Sequence, residues 1–121
     1  MKARPDELDI EFEQDGVEIR SSQWGDMHVA RYALPPGTDL SPFFAALPAG
    51  LCSGNHWGIV LEGSLHLRYA DGTEETTVEG EIYYWEAGHT AWTDEGVVFV
   101  AVTPLAEVRR MAEQLQAAAT G

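Results

Sequence analysis

The chain is poor in basic residues: seven Lys plus Arg stand against 20 Asp plus Glu, a formal charge of −13 with the histidines neutral. Such a surface repels phosphate backbones and anionic lipid, so neither a nucleic acid nor a membrane is an expected partner. Cysteine is nearly missing too. Cys52 stands alone, so no internal disulfide can form, and a reducing, cytoplasmic location is the expectation. No apolar run approaches the ~20 residues of a membrane-spanning helix. The start, Met1-Lys2-Ala3-Arg4-Pro5, runs straight into Asp6-Glu7, and no secretory leader is expected. Internal repeats, low-complexity tracts, Gly-rich phosphate loops, a Gly-x-Ser-x-Gly elbow and Cys-x-x-Cys pairs are likewise missing.

What remains is a chain of 121 residues, one domain's worth, with an ordinary apolar fraction. Strand signals recur at 17–21, 28–34, 57–61, 65–69, 75–78, 82–85 and 97–102. Between them stand turn residues such as Gly25-Asp26, Pro35-Pro36-Gly37, Glu62-Gly63, Asp71-Gly72 and Glu79-Gly80. Many short strands punctuated this way predict an all-β sandwich or barrel. Leu105, Val108, Met111 or Ala112, and Leu115 recur at helical spacing, and predict one helix over 105–118. The organisation is therefore an acidic arm over 1–15, frayed or loosely docked, then a β-barrel over 16–104, then a helix and tail over 105–121.

The middle strands can be paired. A two-residue turn at Glu62-Gly63 would set Val60 opposite Leu65, Gly58 opposite Leu67 and His56 opposite Tyr69, all on the inner face. A two-residue turn at Asp71-Gly72 would set Arg68 opposite Glu75. Trp57, Ile59 and Leu61 then face outward. That face is too apolar for bare solvent, and is expected to be covered by the C-terminal helix, the N-terminal arm or a second subunit; a homodimer is favoured. The insert Phe43-Phe44-Ala45-Ala46-Leu47 reads as a helical turn lidding one end of the barrel.

The run His56-Trp57-Gly58-Ile59-Val60-Leu61-Glu62-Gly63 resembles the end of the first cupin motif, H-x-H, three or four residues, E, six residues, G. Gly80-Glu81-Ile82-Tyr83-Tyr84-Trp85-Glu86-Ala87-Gly88 resembles the start of the second, G, five residues, P-x-G, two residues, H. The resemblance covers roughly residues 28–103. It implies a cupin-like antiparallel β-barrel (a double-stranded β-helix or jelly roll), often dimeric, here with a C-terminal α-helix. In such barrels a metal, when present, is held by the motif histidines and glutamate. This sequence departs from that set. His56 falls where the family has glutamate, the two preceding histidine positions fall on Gly50 and Cys52, and the second-motif histidine falls on Ala91. A narrower pattern, Cys52-x-x-x-His56-x-Gly58 with Tyr69-Ala70-Asp71-Gly72-Thr73 and Gly88-His89-Thr90-Ala91-Trp92, resembles a subgroup of small bacterial cupin-domain proteins.

The candidate site follows. Cys52 and His56 are separated by four residues, ~13 Å along a straight strand, but Ser53-Gly54-Asn55 can turn the two together. A thiolate with imidazoles suits Zn, Cu, Ni or Fe better than Mg or Ca. His89, two residues before Ala91, is the candidate third ligand. Tyr32, Tyr69, Tyr84 and Trp92 are candidates to line a ligand cavity. His28 lies on a strand whose facing the pattern does not fix, and His66 is expected outward. Three functions stand open. His56, with His89, could do non-redox acid–base chemistry of the isomerase, dehydratase or cyclase type on a small organic molecule. Cys52, His56 and His89 could hold one transition-metal ion in a metalloenzyme. The barrel could be a non-catalytic ligand-binding or assembly module. A buried thiol among acidic residues is a poor nucleophile, so catalysis by Cys52 is disfavoured.

Overall fold

The computed structural model describes residues 1–120. Eight strands alternate with turns: β1 Asp9–Gln14, β2 Val17–Trp24, β3 Met27–Leu34, β4 His56–Tyr69, β5 Glu74–Val78, β6 Ile82–Trp85, β7 His89–Trp92 and β8 Val97–Pro104. A short helix α1 (Ser41–Phe44) precedes β4, and a long helix α2 (Leu105–Thr120) follows β8. Gly121, the last residue of the expected tail, lies outside the described residues.

All pairings are antiparallel, in the order β1-β2-β3-β8-β4-β5, with β6 and β7 also paired to β4. The long strand β4 is the spine. Residues 57–59 lie between β8 and β6, and residues 66–68 lie between β7 and β5. The expected hairpin at Glu62-Gly63 is therefore corrected: the chain runs straight through. A register shift against β8 between Val60 and Glu62 does the work assigned to the turn. One extra residue in a strand reverses the side-chain phase. Val60 is inside before it, and Leu65 and Leu67 are inside after it, all at 1% exposure or less. Gly63 sits at φ +73° against the Gly96 carbonyl, where a Cβ would overlap the backbone oxygen.

The hairpin at Asp71-Gly72 forms with a different register. Tyr69 N–H donates to the Thr73 carbonyl, leaving a three-residue loop with Gly72 at φ +88°. Such loops carry a glycine in the left-handed region at their last position. The extra loop residue slides the pairing by one, so Arg68 faces Glu74 rather than Glu75. The Arg68–Glu74 ion pair spans 3.0 Å on the surface. Two-residue hairpins fall instead at Asp15-Gly16, both with positive φ, and at the expected turn Gly25-Asp26.

The acidic start is not frayed as expected. Asp9–Gln14 pairs with β2, and Arg20 Nη1 donates to the Leu8 carbonyl. The core gathers Leu34, Val60, Leu65, Leu67, Trp85, Val97, Phe99 and Ala101. Trp85 stands edge-on to Phe99 and donates its indole N–H to Thr77 Oγ1 at 3.0 Å. Outside, two cross-strand rows of apolar residues run Val102–Trp57–Tyr84 and Val100–Ile59–Ile82. Ile82 is 82% exposed. Neither of the two expected intramolecular covers reaches this face: β1 extends the sheet at β2, and α2 turns toward the barrel cavity. No helix among the described residues is long and apolar enough to cross a membrane.

Candidate metal centre

Inside the barrel lies a cavity of about 360 Å³. Its walls are strand residues such as Leu65, Phe99 and Ala101. Its roof is Phe43, Phe44 and Leu47 from the α1 segment, with Val108, Met111 and Leu115 from α2. The apolar insert and the helical stripe read from the sequence thus meet over one opening. No residue of α2 is fully buried, so the helix sits on the cavity rather than within the core.

Cys52, His56 and His89 come together in this cavity, with one donor atom from each lying within 4.8 Å of the others. The backbone arranges this. Cys52 N–H donates to the His89 carbonyl at 2.8 Å, and Gly88 N–H donates to the Cys52 carbonyl at 2.8 Å, which ties the Cys52 loop to the start of β7. The turn through Ser53-Gly54-Asn55 then brings His56 back, and Cys52 Sγ stands 3.4 Å from His56 Nε2. His89 and Ala91 share the inner face of β7 by strand alternation. A histidine two residues from the family's ligand position therefore points into the same space.

Each imidazole is held from behind. His89 Nδ1 lies 2.6 Å from the Glu86 carbonyl. A carbonyl only accepts, so Nδ1 carries the proton and Nε2 keeps its lone pair. His56 Nδ1 lies 2.7 Å from Oγ1 of Thr103, a residue that is 1% exposed. Burial disfavours charge on both rings. It pushes His56 down to about 3, helped by neighbouring His89 and His28, and pulls His89 below its ordinary value against the Glu86 carbonyl bond. Burial likewise pushes the Cys52 thiol up, opposed by a Gly54 backbone hydrogen bond and reinforced by Glu107.

Asn55 anchors the cluster. Its backbone N–H and side-chain amide both donate to Glu107 Oε1 on α2, at 2.7 and 3.0 Å. Its Oδ1 accepts from Tyr84 Oη and from Ala87 N–H. One residue thereby joins the Cys52 loop, the roof helix and the turn that carries His89.

The four aromatic candidates separate. Tyr32 lines the cavity and stacks on Phe99 at 4.8 Å. Tyr69 does not line the cavity as expected: it lies edge-on to His89 at 6.1 Å, with its hydroxyl spent on Glu75. Tyr84 and Trp92 are corrected as lining residues, because alternation turns both outward. Tyr84 stacks on Trp57, and Trp92 stacks on His66 beneath Arg68. Three cavity groups carried no signal as site residues, Glu11, Thr103 and the Met111 thioether, and a fourth, His28, had its facing left open. His28 bonds Glu11 Oε1 at 2.7 Å. It lies four residues before Tyr32 on β3, so placing Tyr32 inside already implied an inward His28. Glu11 had no such signal, since a register shift between Ile10 and Phe12 sets its facing.

A β4 spine shared by two sets of strands, and a barrel cavity carrying a cluster of donors, define a protein of the cupin fold. Solved structures bear out the fold. A structural-genomics protein of unknown function from Rhizobium leguminosarum bv. viciae 3841 matches with TM-score 0.63 and 24% identity, over 86% of this chain and 95% of its own. Bacillus subtilis oxalate decarboxylase matches with TM-score 0.58 and 16% identity over 83% of this chain, which corresponds to 28% of that larger protein. Fe(II) HppE matches with TM-score 0.58 and 16% identity, over 85% of this chain and 59% of its own. At these identities the likeness establishes the fold. No family model and no curated protein matches the sequence.

Proposed function

We propose that this protein is a small metal-binding cupin in which Cys52, His56 and His89 hold one transition-metal ion that meets a small organic ligand in the barrel cavity. The observation that carries the reading is the triad itself: three donors gathered from separate points of the chain, with the His89 lone pair left free by the Glu86 carbonyl. Ligating histidines are characteristically fixed this way through their second nitrogen. The donor set fits a soft or borderline ion, Zn, Cu, Ni or Fe, and does not fit Mg or Ca. The family's usual histidines and glutamate are not needed for this, and Gly50 and Ala91 contribute no donor. A fold shared with Fe(II) HppE supports the reading.

When bound, such an ion supplies Lewis acidity toward an oxygen of the ligand. The chain's own residues do the rest. Thr103 and Glu86 orient the two rings, Phe44, Leu47 and Val108 exclude water, and Tyr32 presents an aromatic face to the ligand. Acid–base chemistry through His56 fits less well, because a group held near 3 is mismatched to proton transfer at neutral pH. Within the cupin fold we place the chain beside the small proteins sharing Cys52-x-x-x-His56-x-Gly58 and Gly88-His89-x-Ala91-Trp92. The reading keeps a cytoplasmic homodimer, with a second copy covering the exposed Trp57–Tyr84 face.

The test is elemental analysis of protein purified without chelator or metal-affinity resin, alongside Cys52→Ala and His56→Ala. Near-stoichiometric metal in the native chain, lost in both variants, is expected. Background metal after incubation with Zn, Fe, Cu and Ni rejects the reading and leaves the cavity as a binding site for an organic molecule alone.

A further inference from the structure

The triad has a neighbour of a different kind. Met111 reaches down from α2 into the cavity, and its Sδ lies 3.8 Å from Cys52 Sγ. Its methyl group sits over Gly54, where even a Cβ would overlap it. The space above the thiol is thus filled by a second sulfur, held there by a helix whose Glu107 is tied to Asn55.

We propose that Met111 is a fourth donor, so that Cys52, His56, His89 and Met111 form a copper site that takes Cu(I) in preference to Zn(II). This rests on the metal-binding reading above, with a fourth protein donor taking the position that reading left open to an organic ligand.

Three observations carry the proposal. The first is ligand softness. Thiolate and imidazole serve zinc and copper alike, but a thioether selects Cu(I), whereas zinc sites draw on Cys, His and carboxylates. The second is the missing hard donor. No Asp or Glu belongs to the cluster among the described residues, although the chain carries 20 of them. Glu107, the acidic residue nearest the Cys52 loop on α2, spends Oε1 on two Asn55 donors, and Glu11 is engaged by His28 and Ser21. The third is charge. One thiolate, two neutral imidazoles and one thioether give a donor set of −1. Cu(I) brings the site to zero, while Zn(II) leaves +1 in a cavity walled by Leu65, Phe99, Leu47 and Val108. A buried charge is unfavourable unless it is paired, and the two nearby carboxylates, Glu11 and Glu107, are already engaged by His28 and Asn55. Binding is not a redox step: the Cys52 thiol loses its proton to solvent, Cu(I) enters as Cu(I), and nothing else changes oxidation state.

The position of Met111 gives the site a consequence. Because α2 has no fully buried residue, a bond from Met111 to the ion adds a further tie between helix and barrel, beside Asn55–Glu107 and the Leu105 N–H bond to the Asp26 carbonyl. Ion binding then fastens the roof helix more firmly over the cavity.

The test titrates metal-free native protein and Met111→Leu anaerobically with Cu(I) against bicinchoninate, and with Zn(II) against a chromophoric zinc chelator. Leucine keeps the volume and removes the donor. Removing even an outer partner of a metal ligand costs about 10–100-fold in affinity, so losing a direct donor should cost no less than about tenfold. The expected result is one Cu(I) per chain, bound more tightly than Zn(II), a loss of at least that size for Cu(I) in Met111→Leu, and little change for Zn(II). X-ray absorption of the native Cu(I) form should find two sulfur neighbours, a readout that needs no variant. Equal Cu(I) affinity in the two proteins, a single sulfur neighbour, or a native preference for Zn(II) overturns the copper assignment and leaves the metal reading standing. Failure of the native protein to bind either ion overturns both.

Discussion

Replacing Thr103 by valine tests the site through one hydrogen bond. Thr103 is almost fully buried on β8, and its Oγ1 is 2.7 Å from His56 Nδ1. Valine keeps the shape, so no cavity opens and only the hydrogen bond changes. With Nδ1 protonated and donating to Thr103, the Nε2 lone pair faces Cys52 Sγ and is free to ligate. In the variant that same tautomer leaves a buried N–H without an acceptor, at a cost of about 1–3 kcal/mol. The other tautomer, with Nε2–H directed at Cys52 Sγ, then becomes preferred and has no lone pair to offer an ion. Metal affinity should therefore fall about 10–100-fold, as it does when the outer partner of a ligating histidine is removed elsewhere. Competition against a chromophoric chelator reads the affinity, and nitrogen chemical shifts of the His56 ring read the tautomer. Thr103→Ser should restore both. A valine variant with unaltered affinity and an unaltered tautomer would refute the reasoning.

Three further outcomes are expected. Gly63→Ala should destabilise the chain by at least about 1–2 kcal/mol from the left-handed backbone alone, and by more from overlap with the Gly96 carbonyl; an unchanged urea midpoint would contradict this placement of β4 against β8. Leu67→Ala should cost about 2–5 kcal/mol, because Leu67 is wholly buried, and the same urea series checks it. Metal uptake should expel one proton. Burial holds the Cys52 thiol above its ordinary value and holds His56 neutral down to about 3. Near neutrality, then, the thiol is protonated and must lose its proton to ligate, while the imidazoles need lose none. Affinity should rise about tenfold per pH unit until the thiol titrates. Calorimetry in two buffers of different ionisation enthalpy counts that proton, and a count of zero would remove Cys52 from the ligand set.

The fold was legible where turns and alternation agreed. The glycine spacing around Gly63 and Gly80–Gly88 carried the barrel, and the Leu105–Leu115 stripe carried the roof helix. The inward set of His56, Val60, Leu65 and Leu67 also came out, but for a different reason: a register shift, invisible in residue types, reversed the phase where a turn was expected. Strand β1 was hidden by charge. Leu8, Ile10 and Phe12 alternate with acidic residues, a half-buried strand pattern that the −13 balance made look like a solvated arm. Strand β7 is His89-Thr90-Ala91-Trp92, without the apolar and aromatic run that marked the equally short β6, Ile82-Tyr83-Tyr84-Trp85. Cys52 and His56 were expected together from the motif's ligand positions, and His89 only from its place two residues before the position that falls on Ala91. The contributions of Met111, Thr103 and Glu107 depend on which side of β8 and α2 meets the Cys52 loop, which only the assembled barrel determines.

The central claim is that Cys52 thiolate and two imidazoles close on one ion. The measurement that tests it most directly is the ultraviolet spectrum of metal-free protein as Cu(I) or Co(II) is added under anaerobic, reducing conditions. The account predicts a thiolate-to-metal charge-transfer band that grows linearly, stops at one ion per chain, and is lost in Cys52→Ser and weakened in His89→Ala. No band in the native protein, or a band that survives in Cys52→Ser, would contradict it.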